Sequence, residues 1–341
     1  MPKLRLIQCG VGGFGAGWVK NHTIKSPDFD LVAVVDIADK ALKEAGDLAG
    51  LGEDRRFKSL EAAVDKVQAD AVLTVTPPAV HAQHAKIAFS RGLHLMSEKP
   101  MADTLDNARL MAQCARQAGR QLVISQNYRY SPPIHRLRQL LAQKVVGELG
   151  HGHIDFYIPA DFTGTFRQTM EYVLLVDMAI HHMDLIRYVT GRNITKVTAQ
   201  TFRPAWSWYA HHNGLKMLLE LDGGLPFSYS GDWSAKGRLT GWNGSWRLQC
   251  AEGSLHLEPE GITIGRCEKW SKNPSSEKAD VPEIAPTGQA ATLALFAEAI
   301  RSGKPAQISG EDNLWSFGAV MAGVASAKEG RTVDVGALVG R

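Results

Sequence analysis

Leu4-Arg5-Leu6-Ile7-Gln8-Cys9 runs directly into Gly10-Val11-Gly12-Gly13-Phe14-Gly15, and the reading of these residues decides the fold. An apolar run of strand length ends on a glycine loop, and Gly13–Lys25 continues with helical periodicity. With glycine at about one residue in ten, a G-x-G-x-x-G match arises by chance about 0.3 times in such a chain. The match alone therefore carries little weight, but its place between a strand and a helix gives the glycines a use. They let the backbone turn tightly and approach a ligand closely. The helix start then points its free N–H groups toward a pyrophosphate.

Moving outward, Leu31–Asp36 reads as a second strand, and Asp36 closes it at a position where a carboxylate can accept both hydroxyls of an adenosine ribose. A 2′-phosphate about 4 Å from that carboxylate would be repelled by several kcal/mol even at an effective dielectric of about 20. The following Ile37-Ala38 offers no arginine to absorb it, so NAD is expected over NADP. Helices are expected at Asp39–Leu48, Leu60–Lys66, His81–Arg91 and Thr104–Ala118, and strands at Ala71–Val75, Leu93–Met96 and Leu122–Ser125. Strands alternating with helices imply a parallel sheet covered on both faces. Thr76-Pro77-Pro78 and Glu98-Lys99-Pro100 then fall at the carboxyl edge of that sheet, where ligands collect. An ammonium at Lys99 can stabilise an alkoxide as hydride leaves. His81 and His84 read as surface or first-turn histidines, and no metal site is expected.

The character changes after residue 125. Ser131-Pro132-Pro133 opens a helix, Leu149–Ile158 alternates as a half-buried strand should, and Met170–Val189 reads as a helix stopped at Gly191. Strands are then expected at Val197–Phe202, Leu215–Leu221, Phe227–Trp233, Ser245–Cys250, Leu255–Leu257 and Ile262–Ile264. Short turns between successive strands imply an antiparallel sheet. Trp270–Pro286 reads as an exposed loop, and helices Gln289–Arg301 and Glu311–Lys328 follow. The expected domains are therefore 1–125, built on the parallel sheet, and 126–341, built on the antiparallel one.

The bulk numbers agree with a two-domain globular chain. There are 341 residues, 44% hydrophobic and 21% charged, with a formal net charge of +3. That charge does not favour nucleic acid or a membrane surface as a partner. No secretory signal or membrane-length apolar run is visible, and Cys9, Cys114, Cys250 and Cys267 lack C-x-x-C spacing, so a cytoplasmic location is expected.

Asp177, His181 and Asp184 are spaced to share one face of the expected helix. Imidazole suits a general base for an alcohol proton near neutral pH. Asp177 can orient that ring, hold a substrate hydroxyl, or both. His182 points about 100° away and reads as structural, and Asp184 can be a partner of His181 behind the site or, as the preferred reading, a plain surface acid. Trp206, Trp208, Trp242 and Trp246 can stack on sugar faces or fill a core or an interface.

Taken in order, these segments, with Asn127-Tyr128-Arg129-Tyr130-Ser131-Pro132, resemble the Gfo/Idh/MocA oxidoreductase family, which includes glucose–fructose oxidoreductase and inositol 2-dehydrogenase. The resemblance implies that Gly10, Gly12, Gly13, Phe14, Gly15, Asp36, Ile37, Thr76, Pro77, His81, Glu98, Lys99 and Asn127 meet the cofactor. It implies Lys99, Asp177 and His181 as the catalytic set, and a sugar, inositol or polyol as substrate. Asp155 and Arg167 are further candidates for contact with that substrate. The resemblance further implies that 1–125 is an NAD-binding Rossmann domain and 126–341 an α/β substrate domain with a large open, mostly antiparallel sheet, whose exposed face would pair subunits into a homodimer or homotetramer. Two departures are visible: many members carry a Gly-Gly run before the Asp, where this chain has Tyr172-Val173-Leu174-Leu175-Val176, and a Gly two residues after it, where this chain has Ala179. Two rivals to a dehydrogenase are an NAD-dependent glycosidase using transient oxidation and a non-catalytic nucleotide or sugar sensor.

Overall fold

A computed structural model describes residues 2–267, 269, 272 and 274–340. The chain divides into two compact units, 1–127 with 285–314, and 128–284 with 315–341.

The first unit is built on six strands: β1 (Leu4–Cys9), β2 (Phe29–Val35), β3 (Arg56–Phe57), β4 (Ala71–Thr74), β5 (His94–Ser97) and β6 (Leu122–Ile124). They lie in the order β3-β2-β1-β4-β5-β6, and every pairing is parallel. Its helices include α1 (Phe14–Trp18), α2 (Asp39–Ala49), α3 (Leu60–Lys66), α4 (His81–Ser90) and α5 (Leu105–Ala118). Because both sheet faces are covered, the strands are continuously apolar: Leu6, Ile7, Val72, Leu73, Leu95 and Met96 are fully buried. Each such side chain contributes about 1.5–3 kcal/mol on burial. The strand order reverses between β1 and β4, and both the glycine loop and the turn after β4 leave the sheet at that point.

Gln8 is the buried polar exception in β1. Its amide nitrogen donates to the carbonyls of Gly10 and Gly15, and its oxygen accepts from Thr23 Oγ1, which ties the loop to the strand beneath it. The expected helix Gly13–Lys25 is shorter and less regular. After Trp18 it widens into a π turn, Val19–Thr23, in which Thr23 Oγ1 bonds back to the Trp18 carbonyl.

The second unit contains β7 (Leu149–Tyr157), β8 (Ile194–Phe202), β9 (Gly214–Leu221), β10 (Leu225–Asp232), β11 (Ser245–Cys250), β12 (Gly253–Glu258), β13 (Gly261–Arg266), β14 (Ser275–Ala279) and β15 (Val333–Asp334). Their order is β14-β13-β12-β11-β7-β10-β9-β8-β15, antiparallel throughout except for β7 beside β10. With them come α6 (Pro132–Ala142) and α7 (Ala179–Thr190). Ile154, Phe156, Met217, Leu219, Tyr229, Trp246 and Leu248 alternate inward on one sheet face. The other face is polar, with Lys216, Arg247 and His151 exposed, and it carries Leu218 at 67% exposure.

Two further expectations are corrected. The helix expected over Met170–Val189 begins later, as a π turn at Leu174–Met178 leading into α7, because Tyr172 sits at φ +52° and interrupts any helix there. The loop expected over Trp270–Pro286 contains β14, an exposed edge strand of Ser, Glu, Lys and Ala that has no apolar alternation to betray it. Trp270, Ser271 and Asn273 of that expectation lie outside the described residues.

The helices also divide differently from the sequence boundary at 126. Helix α8 (Gly288–Ser302) belongs to the first unit, where Phe296 stacks on Phe29 at 5.6 Å and Arg301 pairs with Asp28. The division between units falls within α9 (Gly310–Glu329), after Leu314. Within the second unit, Gly323 lets α9 lie close to Leu175 and Met217, since a Cβ there would already stand 3.1 Å from one and 3.2 Å from the other. Among the described residues, no helix is long and apolar enough to cross a membrane.

Candidate active site

In the first unit the glycine loop is held by sterics. Gly10 has φ +79°, and a Cβ there would lie 2.5 Å from the Val75 carbonyl oxygen, while one on Gly15 would overlap the Gly10 carbonyl. Gly13, by contrast, has open space where a Cβ would be. Asp36 Oδ2 accepts the N–H groups of Val11 and Gly12 at 2.9 and 3.1 Å, and its Oδ1 accepts Ala38 N–H at 2.9 Å. The carboxylate thus clamps the loop to the end of β2 and keeps lone pairs for ribose hydroxyls. Phe14 and Ile37 stand 63% and 88% exposed beside it. A bare backbone turn, a carboxylate and two uncovered apolar side chains suit a dinucleotide. Lys58 reaches the Ile37 carbonyl, but Asp39 takes its charge at 2.6 Å.

The turn after β4 is braced from below. Thr76 Oγ1 meets Thr74 Oγ1 at 2.8 Å, and Thr74 meets His84 Nδ1 at 2.8 Å. Burial pushes the His84 imidazole down to about 4. Pro77 is exposed on this turn. His81 is fully buried, with Nε2 at 2.9 Å from the Thr76 carbonyl and Nδ1 at 3.0 Å from Ser97 Oγ. It is therefore neither a surface histidine nor open to a cofactor; it joins the Thr76 turn to the end of β5.

Glu98 follows β5 and is buried. Its Oε1 accepts the Trp18 indole N–H at 3.0 Å and its Oε2 accepts the Lys99 backbone N–H at 2.9 Å. Burial pushes this carboxyl up, opposed by the Lys99 charge and by the hydrogen bonds from the Lys99 N–H and Trp18. Lys99 is half-buried, its peptide bond to Pro100 is cis, and Asn127, also half-buried, closes this part of the unit. The sequence contains no signal for Trp18: it is simply an apolar position at the end of α1.

In the second unit Asp177 lies on the π turn and His181 in the first turns of α7, 8% and 4% exposed. Arg167, on a short 3₁₀ turn (Phe166–Thr169), holds Asp177 bidentately, Nε to Oδ2 at 2.6 Å and Nη2 to Oδ1 at 3.2 Å. The His181 ring stacks on Tyr128 at 4.2 Å. Burial, then the Asp177 charge, pushes the Tyr128 hydroxyl up to about 12. Tyr128 had no assigned role, and its neighbour Arg129 settles the place of Asp184.

Asp184 is not a surface acid. It is 1% exposed, gripped by Arg129 through two bonds of 2.6 Å and by Ser316 at 2.8 Å. His182 is fully buried, accepting from Tyr229 OH at Nδ1 and donating from Nε2 to the Trp242 carbonyl, as its direction on the helix implies. The structure does not bring Asp155 to this group. It points from β7 toward the polar sheet face, opposite Ile154 and Phe156, and pairs with His153 at 3.0 Å. Of the tryptophans, Trp246 is core, while Trp206 and Trp242 are about half exposed.

Chain comparisons bear on the same segments. Residues 4–126 match the GFO/IDH/MocA oxidoreductase family model, described as an NAD-binding Rossmann fold, and residues 134–256 match the GFO/IDH/MocA C-terminal domain. A D-apiose dehydrogenase of Paraburkholderia graminis is 28% identical over 98% of this chain and 89% of its own length. An inositol 2-dehydrogenase of Paenarthrobacter aurescens is 26% identical over 65% of each chain. Among solved structures, an Agrobacterium radiobacter oxidoreductase in complex with NAD+, L-tartaric acid and magnesium superimposes with a TM-score of 0.87. It is 23% identical and covers 99% of this chain and 100% of that one. With both halves matched in order, and with the glycine loop and Glu98-Lys99-Pro100 placed at the sheet edge, the chain belongs to the Gfo/Idh/MocA family of NAD-binding oxidoreductases.

Proposed function

We propose that the chain is an NAD-dependent dehydrogenase acting on a secondary alcohol of a sugar, inositol or polyol. The observation that carries this reading is Lys99, anchored through Glu98 at the carboxyl edge of the same sheet that carries the glycine loop. Bound there, the nicotinamide supplies the acceptor for the carbinol hydride. The Lys99 ammonium hydrogen-bonds the reacting oxygen and stabilises its developing negative charge. His181 takes the hydroxyl proton, and Asp177, set by Arg167, orients the imidazole and substrate. The named dehydrogenases among the relatives support this class.

Asp36 supports NAD over NADP, because its carboxylate lies where a 2′-phosphate would come and Asp39 already neutralises Lys58. Asp36→Ala is expected to relax that preference, read as the ratio of NADP to NAD turnover. The polar open face of the nine-stranded sheet, with exposed Leu218, supports pairing of copies into a homodimer or homotetramer. The thiols of Cys9, Cys114 and Cys250 support a reducing, cytoplasmic setting.

The test is NADH formation across sugars, inositols and polyols. Lys99→Ala or His181→Ala is expected to lower turnover by more than about a hundredfold while NAD still binds. Undiminished activity in both variants would end the mechanism.

A further inference from the structure

The Arg167 guanidinium is held at one edge and open at the other. The turn that carries it is fixed by the next residue: the Gln168 side-chain amide donates to the Trp208 carbonyl at 2.8 Å, and Ala210 N–H donates to the Gln168 carbonyl at 3.0 Å. That partner segment is itself anchored, since Trp208 Nε1 and Tyr209 OH both donate to the Ala160 carbonyl. The Phe162 and Phe166 rings lie against the guanidinium, with centroids 5.2 and 4.8 Å from its central carbon. Asp177 takes Nε and one hydrogen of Nη2.

An arginine has five N–H donors. Nη1 has no hydrogen-bond partner among the described residues, and the side chain is 30% exposed where that of Asp177 is 11%. The donors left over, on Nη1 and Nη2, form the end edge of a planar fork. Two parallel N–H groups at that spacing match the two oxygens of a carboxylate, and a hydroxyl fills only half of them. The neighbouring carboxylates do not compete for this edge. Asp161 is turned onto the Thr163 N–H, and Asp232 is satisfied by Asn213 and Ser234.

We propose that the substrate is a carboxylate-bearing polyol, a sugar acid or related hydroxy acid, and that Arg167 binds its carboxylate through the open edge while holding Asp177 with the other. This rests on the dehydrogenase reading above and narrows its substrate class. Arg167 then sets specificity: it aligns the acid end of the substrate relative to Asp177 and His181, and a neutral analogue leaves the fork half-paired.

The experiment compares NADH formation from D-gluconate, D-glucuronate and D-galacturonate with that from D-glucitol, D-glucose and D-galactose, using the full-length protein and its Arg167→Gln and Arg167→Lys variants. At least one acid is expected to exceed its neutral counterpart by about 30-fold or more in kcat/KM, the scale of a charge-assisted bidentate contact. Arg167→Gln should erase most of that advantage, and Arg167→Lys should restore part of it, mainly in KM. Neutral substrates turned over as well as the acids, with Lys99-dependent activity, would overturn this inference and leave the dehydrogenase reading standing. A variant that lowers both classes equally would also overturn it. Silence toward both classes despite NAD binding would overturn the two together. The acid-to-neutral comparison on the unmodified protein decides the matter even if an Arg167 variant fails to fold.

Discussion

Glu98 and Asp177 are both carboxylates buried to within a tenth of full coverage, one in each unit, yet they are compensated in opposite ways. Glu98 accepts from neutral donors, an indole N–H and a backbone N–H, with the Lys99 charge acting beside them. Asp177 is met by a guanidinium that keeps part of its surface in solvent. Neutral dipoles in a closed interior fix a backbone and leave nothing to exchange. A half-open cation holds its partner and still has donors to offer. The difference separates a brace for Lys99 from a place of recognition, and it can be broken experimentally at either end.

The largest effect is expected at the exchanging end. Asp177→Ala should cut kcat/KM by about a thousandfold, within the range for groups acting directly in proton transfer or its orientation. Glu98→Gln keeps the shape of the brace and should cost about tenfold, almost wholly in kcat. Equal losses in steady-state assays would erase the distinction.

Next comes the pair of adjacent histidines, which sharpens the contrast inside one helix. Full burial pushes His182 down to about 4, so the folded state resists its protonation while the unfolded chain binds a proton below about 6.5. A depressed pKa gives stability that is complete above about 6.5 and lost as the pH falls toward 4. The loss should reach about 3 kcal/mol relative to His182→Gln, read by urea unfolding across that window. A difference independent of pH would refute the assignment.

A smaller effect is expected at Trp18. Trp18→Phe removes one donor from a buried carboxylate, costing about 1–3 kcal/mol in stability, with NAD affinity kept and kcat lowered. Glu98 itself has the opposite sign from His182. Its pKa is raised by burial, so its contribution is complete below the unfolded carboxyl pKa and lost as the pH rises through the folded one. Glu98→Gln should therefore gain on the parent protein in alkaline unfolding experiments, and a gain confined to acid would contradict the buried-charge account.

Much of this is legible in residue order, but unevenly. Leu4–Cys9 and Leu60–Lys66 fall where periodicity puts them, because both are apolar patterns bounded by strong turn or cap signals. Ser275–Ala279 was invisible, since an exposed edge strand needs no apolar face. The spacing of Asp177, His181 and Asp184 suggested one shared helical face. Arg167 grips Asp177, Tyr128 stacks on His181 and feels the Asp177 charge, and Asp184 is drawn off to Arg129 and Ser316. Asp155 alternates onto the far side of its sheet, which depends on which face the helices cover.

The sequence by itself determined the alternation of strands and helices in the first unit, the glycine loop, Asp36 at the end of β2 and Lys99 at the sheet edge. Those follow from local sterics and short-range periodicity, which act within a few residues. The tertiary structure decided which charges meet. Trp18 reaches Glu98 across 80 positions and Arg129 reaches Asp184 across 55, and no local pattern encodes such a meeting. Buried polar groups must find partners wherever packing brings them, so their pairing is set only once the core has closed around them.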